Sequence, residues 1–138
     1  MLQSRGVGID VVDIADFSQT LARSGENFIQ AVFTAGEIAY CQGRSPQHFA
    51  VRWAAKEAFL KASWGNEFHD IEPLDIEVVS EVGRAPKICL SGRTADWARL
   101  TGVKGVDVSL SHSRHTAIAV VLIKYHLDIP VFKYERSG

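Results

Sequence analysis

The chain has 138 residues, enough for one domain over 1–138 that buries a core without disulfide or metal staples. Fifteen basic residues against sixteen acidic ones leave a net charge of −1, so no overall field points to nucleic acid or an anionic membrane, and any charged ligand must be met locally. Cys41 and Cys89 form no C-x-x-C pair, no secretory leader opens the chain and the apolar runs are too short to span a bilayer, which predicts a soluble cytoplasmic protein with reduced thiols.

The first element is a strand from Gly6 to Asp13, with Val7, Ile9 and Val11 on one face and Asp10 on the other. Aspartate is disfavoured in strands, so Asp10 is either a solvated strand edge or a site residue left open by the glycines beside it. Asp13 can cap a helix that carries Ile14, Phe17 and Leu21 and ends near Ser24 and Gly25. A second helical stretch runs from Glu26 to Phe33. Thr34 and Glu37 then form a capping-box signature for a third, ended by Gly43.

The most informative stretch is Ser45 to Gly65, predicted as a long helix with Ser45 as N-cap, Pro46 at its first position and Gly65 closing it. At about 100° per residue, Phe49, Trp53, Leu60 and Trp64 fall on one stripe expected to be buried. Arg52 and Lys56 lie along one edge of that stripe and Glu57 and Lys61 along the other, and the rest is mostly Ala, Val and Phe. A helix apolar nearly all round should hold its charges at a site, in pairs or at an interface.

A loop is expected through Pro73, followed by a hairpin from Leu74 to Gly92 whose arms are separated by G-R-A-P. A short helix from Thr94 to Leu100 should pack Trp97 and Leu100, with Gly102 as its stop. Two strands, from Val106 and from Thr116, join through a turn at Ser113 to His115, and the second is hydrophobic enough to be central in a sheet. Helices mostly first and hairpin strands mostly later make an α+β fold.

The sequence has no P-loop, no G-x-G-x-x-G, no H-E-x-x-H and no nucleophile elbow. His112 and His115 flank a turn without further zinc-type ligands nearby. Asp10 and Glu57 are the two carboxylates set in otherwise apolar elements, which suits Mg²⁺, a hard cation held by one or two carboxylates plus phosphates and waters. Arg52, Lys56 and Lys61 could then pair with phosphate oxygens. The alternative makes Glu57 and Lys61 a surface i, i+4 pair and His112 a structural histidine. Nothing in the sequence physics alone brings Asp10 next to Glu57.

Three stretches in order, G-V-G-I-D, R-W-A-A-K-E-A-F-L-K-A and V-S-L-S-H-S, resemble the holo-acyl-carrier-protein synthases, the small phosphopantetheinyl transferases. The resemblance runs from Gly6 to Ile123 and leaves the tail, 124–138, outside it. It implies one long central helix packed on a mainly antiparallel sheet, and transfer of phosphopantetheine from coenzyme A to a carrier-protein serine with release of adenosine 3′,5′-bisphosphate. Asp10 and Glu57 would ligate Mg²⁺, while Arg52 and Lys61 would hold phosphates. His112 would lie near the pyrophosphate and 3′-phosphate end of the ligand. Glu57 is the first candidate for the base that takes the serine proton and His112 the second.

Gly65 and Pro86 complete the expected coenzyme A contacts, Pro86 in a turn one residue longer than the family's. Where some relatives carry an acid after the histidine, this chain has Ser113. The resemblance also implies a homotrimer with coenzyme A between subunits and a role in fatty acid biosynthesis. The partner would be an acyl carrier protein or a carrier domain of a fatty acid synthase. Relatives that dock acidic carriers have several basic residues on the first helix, but between Ile14 and Gln42 this chain has only Arg23. Steering toward an acidic carrier should therefore be weak, which keeps open a carrier domain within a larger synthase. The competing class is a module that binds coenzyme A or a nucleotide without chemistry.

Overall fold

The computed structural model describes residues 5–63 and 71–125. Trp64, Gly65 and the tail beyond Tyr125 lie outside the described residues, and with them the expected helix end at Gly65. Three antiparallel strands form the main sheet: β1 (Arg5–Asp13), β4 (Val103–His112) and β5 (Thr116–Tyr125), in the order β1-β5-β4. The hydrophobic β5 is central, as its composition predicts, because both its edges are paired. β4 begins before Val106, at Val103, and its register with β5 shifts between Val103 and Gly105.

A second sheet is the hairpin of β2 (Ile76–Val79) and β3 (Lys87–Leu90). Leu74, expected in its first strand, lies instead in a 3₁₀ turn, Pro73–Asp75. Proline suits the first position of such a turn, where its missing N–H costs nothing.

Four α-helices accompany the sheets among the described residues: α1 (Ile14–Val32), α2 (Ala35–Cys41), α3 (Gln47–Ala62) and α4 (Gly92–Leu100). Asp13 caps α1 by accepting from the Asp16 N–H at 2.9 Å, and Gly25, at φ +60°, breaks the helix where the sequence predicts a stop. Thr34 and Glu37 close the predicted capping box on α2. At the start of α3, Ser45 is not the side-chain cap. Pro46 occupies the cap position in helical conformation, and the Ser45 carbonyl accepts from the His48 N–H.

The buried face of α3 also differs from the predicted aromatic stripe. Ala50, Ala54, Ala55, Ala58 and Phe59 are fully enclosed, whereas Phe49 and Trp53 are half-buried and Leu60 is 36% exposed. Alanines line the side of α3 that lies against β1, where Gly6 and Gly8 bring the strand backbone onto the helix, while Phe59 fills the core on the side of α4. Trp97 of α4 is buried and meets Phe59 edge-on at 5.9 Å. Leu100, expected to pack beside it, ends the helix 78% exposed. Among the described residues no helix is long and apolar enough to cross a membrane.

Candidate active site

β1 turns its glycines, not its valines, toward α3. A β-carbon on Gly6 would stand 2.0 Å from the Ala62 carbonyl oxygen, and one on Gly8 would come as close to Ala58, so strand and helix meet backbone to backbone. That contact carries Asp10, two residues on, up to the side chains of the later turns of α3. Lys61 Nζ donates to Asp10 Oδ1 and to the Ile9 carbonyl, both at 3.0 Å. Lys61 thus reaches across to β1, and the surface i, i+4 pair with Glu57 is not its principal contact.

Glu57 shares the cleft with Asp10. Burial raises its carboxyl above the ordinary range, the negative charge of Asp10 raises it further, and Lys61 acts against both. The open cleft, about 400 Å³, is also lined by Asp13, Asp16, Phe17, Thr20 and Trp53. Trp53 stacks on Phe17 with ring centres 6.4 Å apart, which gives the cleft a rigid aromatic wall.

Arg52 is not in this cleft. Five residues along an α-helix turn about 140° net around its axis, so Arg52 and Glu57 project to nearly opposite sides. The Arg52 guanidinium is buried, donates to the His48 carbonyl at 3.0 Å and to Ser80 Oγ at 2.8 Å, and lies 4.2 Å from the centre of the Tyr40 ring. Arg44 packs on the same ring at 4.4 Å, and the His48 ring meets it edge-on at 6.0 Å. The His48 imidazole is held below its ordinary pKa, first by burial and then by the charges of Arg52, Arg44 and His112. His112, exposed at the end of β4, therefore lies on the His48 side of the molecule and is not among the cleft-lining residues. Tyr40, Arg44 and His48 are additions to the residues singled out from the sequence. The i, i+4 spacing of His48 and Arg52 was the available signal.

Lys56, read from the sequence as a possible phosphate partner, is fully used inside the protein. Its Nζ, 1% exposed, donates to Glu37 Oε1 at 2.7 Å, to the Pro73 carbonyl at 2.8 Å and to the Ile76 carbonyl at 2.5 Å. An ammonium has three protons, and all three are spent. Glu37 in turn accepts from the backbone N–H groups of Thr34 and Val78. Pro86 is half-buried in the loop immediately before β3 and is not among the residues that line the cleft.

The donor chemistry of the cleft fits a hard cation. Asp10 and Glu57 offer oxygen only, their charges repel each other, and among the described residues no group of three or more His, Cys, Asp or Glu forms a closed metal cage. Two carboxylates leave most of a coordination shell to water and to substrate phosphates, as Mg²⁺ prefers.

The profile of the 4'-phosphopantetheinyl transferase superfamily matches residues 6–121, which spans β1, the cleft and most of β5. The chain belongs to this superfamily. A holo-[acyl-carrier-protein] synthase of Geotalea daltonii is 35% identical over 121 residues, covering 86% of this chain and 97% of the relative. The acyl carrier protein synthase of Mycobacterium tuberculosis superposes with a TM-score of 0.70 at 35% identity, covering 88% of this chain and 97% of that one. The holo-[acyl-carrier-protein] synthase of Helicobacter pylori, solved in complex with coenzyme A, superposes with a TM-score of 0.75 at 30% identity, covering 86% and 99%. The match contains both β1 from Gly6 onward and α3, the elements whose close contact builds the cleft.

Proposed function

We propose that this chain is a holo-acyl-carrier-protein synthase, which moves phosphopantetheine from coenzyme A to a serine hydroxyl of an apo acyl carrier protein or carrier domain. The observation that carries the reading is the meeting of Asp10 and Glu57 in one cleft of a superfamily member. The serine oxygen attacks the phosphorus that bears the pantetheine arm. The bond to the bridging pyrophosphate oxygen breaks, and adenosine 3′,5′-bisphosphate leaves with that electron pair.

Asp10 and Glu57 would hold Mg²⁺, whose chemistry is to neutralise charge on the pyrophosphate oxygens. Lys61 stands beside them as a phosphate partner and, through its bond to Asp10, keeps that carboxylate aimed into the cleft. Glu57 takes the serine proton. His112, outside the cleft lining, is the second candidate for that role. Arg44 and Arg52 supply positive charge for the more distant phosphate of the ligand, with His112 on the same side of the molecule.

The assembly is a homotrimer with coenzyme A between subunits. Its support is the outer face of β1, where Val7, Ile9 and Val11 stand exposed together. Pro86 would approach the adenine of a neighbouring subunit's coenzyme A. Gly65, outside the described residues, would complete the coenzyme A contacts. The whole chain forms one domain, and the setting is cytoplasmic fatty acid biosynthesis, where the unpaired Cys41 and Cys89 would stay reduced.

The test is intact mass of an apo carrier after incubation with coenzyme A and Mg²⁺. A phosphopantetheine-sized gain that disappears with a chelator and returns with Mg²⁺ is expected. No gain on any carrier offered, discrete or embedded in a synthase, would sink the reading.

A further inference from the structure

Arg44 and Arg52 come from different parts of the fold and meet on one aromatic ring. α2 ends at Cys41, and Gly43, at φ +77°, turns the chain so that the Arg44 N–H donates back to the Cys41 carbonyl at 3.0 Å. A left-handed turn residue of this kind favours glycine. The turn returns Arg44 to the end of α2, where its guanidinium lies 4.4 Å from the centre of the Tyr40 ring. Arg52 reaches the same ring from α3, at 4.2 Å. It is held by the His48 carbonyl and Ser80 Oγ and is only 2% exposed, whereas Arg44 is exposed.

Two guanidinium groups gathered on one ring repel each other, and among the described residues neither forms a salt bridge. The negative face of the ring offsets part of that repulsion. An anion that settles against Arg44 relieves more of it, with Arg52 adding its charge from the buried side. An unsupported arginine on a loop gives up its rotamer freedom only when it closes on a phosphate. Arg44, stacked on Tyr40, has given up much of that freedom beforehand.

Resting on the transferase reading above, we infer that Tyr40 is a positioning residue, whose ring stacks Arg44 and Arg52 into a preformed clamp for the 3′-phosphate of coenzyme A. Arg44 meets the phosphate, Arg52 supports it from inside the protein, and Tyr40 acts through both without touching the ligand. Without the ring Arg44 swings free and the contact weakens.

The experiment measures, by calorimetry with Mg²⁺ and without a carrier, the Kd of coenzyme A and of 3′-dephospho-coenzyme A. Wild-type protein should bind coenzyme A the more tightly. Tyr40→Leu should weaken coenzyme A about fivefold to tenfold, the scale of a cation–π contact, and leave 3′-dephospho-coenzyme A within about twofold. Tyr40→Phe, which keeps the ring, should retain the affinity that Tyr40→Leu loses. Arg44→Gln should weaken coenzyme A as well, and adding Tyr40→Leu to it should cost little more, because the two residues act as a unit. If Tyr40→Leu does not fold, Arg44→Lys at its exposed position decides. It keeps the charge but loses the flat group that stacks, so coenzyme A should bind severalfold more weakly, and wild-type affinity would overturn the inference. Equal losses for both ligands in Tyr40→Leu, or no loss for either, would overturn it too. So would a Tyr40→Leu effect that persists in full in the Arg44→Gln background. Wild-type protein that binds both ligands equally tightly would overturn the inference and leave the transferase reading standing. Wild-type protein that binds neither would overturn the transferase reading, and the inference with it.

Discussion

A β-carbon on Gly8 would lie 1.9 Å from the carbonyl oxygen of Ala58, so nothing larger than hydrogen fits between β1 and α3. The obstacle is backbone and cannot swing aside as a flexible side chain would. Gly8→Ala should therefore push the helix off the strand, at about 1–3 kcal/mol for overpacking. The displacement also parts Asp10 from Lys61 and Glu57, and a shift of about 1 Å near a reacting centre can cost on the order of a hundredfold in rate. Thermal unfolding and the carrier-mass assay should show both losses together. Wild-type stability and rate in Gly8→Ala would mean that the strand and helix are not so closely seated.

The raised carboxyl of Glu57 predicts a stability gain with a definite pH dependence. Burial and Asp10 make the folded chain hold this proton more tightly than the unfolded chain, so ionising Glu57 costs stability above its folded pKa. The cost vanishes below the ordinary value of 4.5, where the group is protonated in both states. In chelator-treated protein, Glu57→Gln should raise the thermal midpoint at neutral pH, and the gain should shrink to nothing on acidification. Transfer by the same variant should fall by at least about a hundredfold, the scale of a lost general base. A variant that is active, or destabilised at neutral pH, would remove Glu57 from this role.

Local signals explain why some elements were legible in the sequence and others were not. The Gly25 break, the Thr34–Glu37 capping box and the central position of β5 depend on neighbours a few positions away, and all three are present as read. The buried face of α3 depends on the glycines of β1, distant in sequence, and the aromatic stripe misled because ring size says nothing about how closely a partner backbone can approach. Asp10 and Glu57 were each conspicuous, but residue physics alone did not join them; only the family resemblance did. Lys56 could not be told from Arg52 or Lys61 by spacing. Its partners come from Glu37 on α2 and from carbonyls at Pro73 and Ile76, which only the folded chain assembles.

Removing Lys56 should expose how much that buried pair matters. Lys56→Met leaves the Glu37 carboxylate enclosed with only the Thr34 and Val78 N–H groups to satisfy it. Breaking one side of a buried pair costs about 3–5 kcal/mol, most of it the uncompensated charge. Adding Glu37→Gln removes that charge while keeping an acceptor for the cap, so the double variant should recover part of the loss. Urea unfolding of the single and double variants measures both quantities. If the double variant is no more stable than Lys56→Met, the loss came from packing and not from the stranded charge.

The outer face of β1 separates a free monomer from the proposed trimer. Val7, Ile9 and Val11 are 65%, 54% and 60% exposed, and they sit in register with Leu122, Val120 and Ile118 of β5, which makes one apolar patch on the sheet. On a free surface, Ile9→Lys should be nearly neutral, within about 0.5 kcal/mol. In a subunit contact it would bury an unpaired ammonium in each copy, which is strongly unfavourable. Light scattering should therefore find wild-type protein at three times the chain mass and Ile9→Lys as folded monomer with an unchanged circular dichroism spectrum. Transfer should fall in the same variant, because Pro86 of a neighbouring subunit could no longer meet the coenzyme A. An Ile9→Lys protein that keeps both its assembly and its rate would show that this patch is not where the subunits meet.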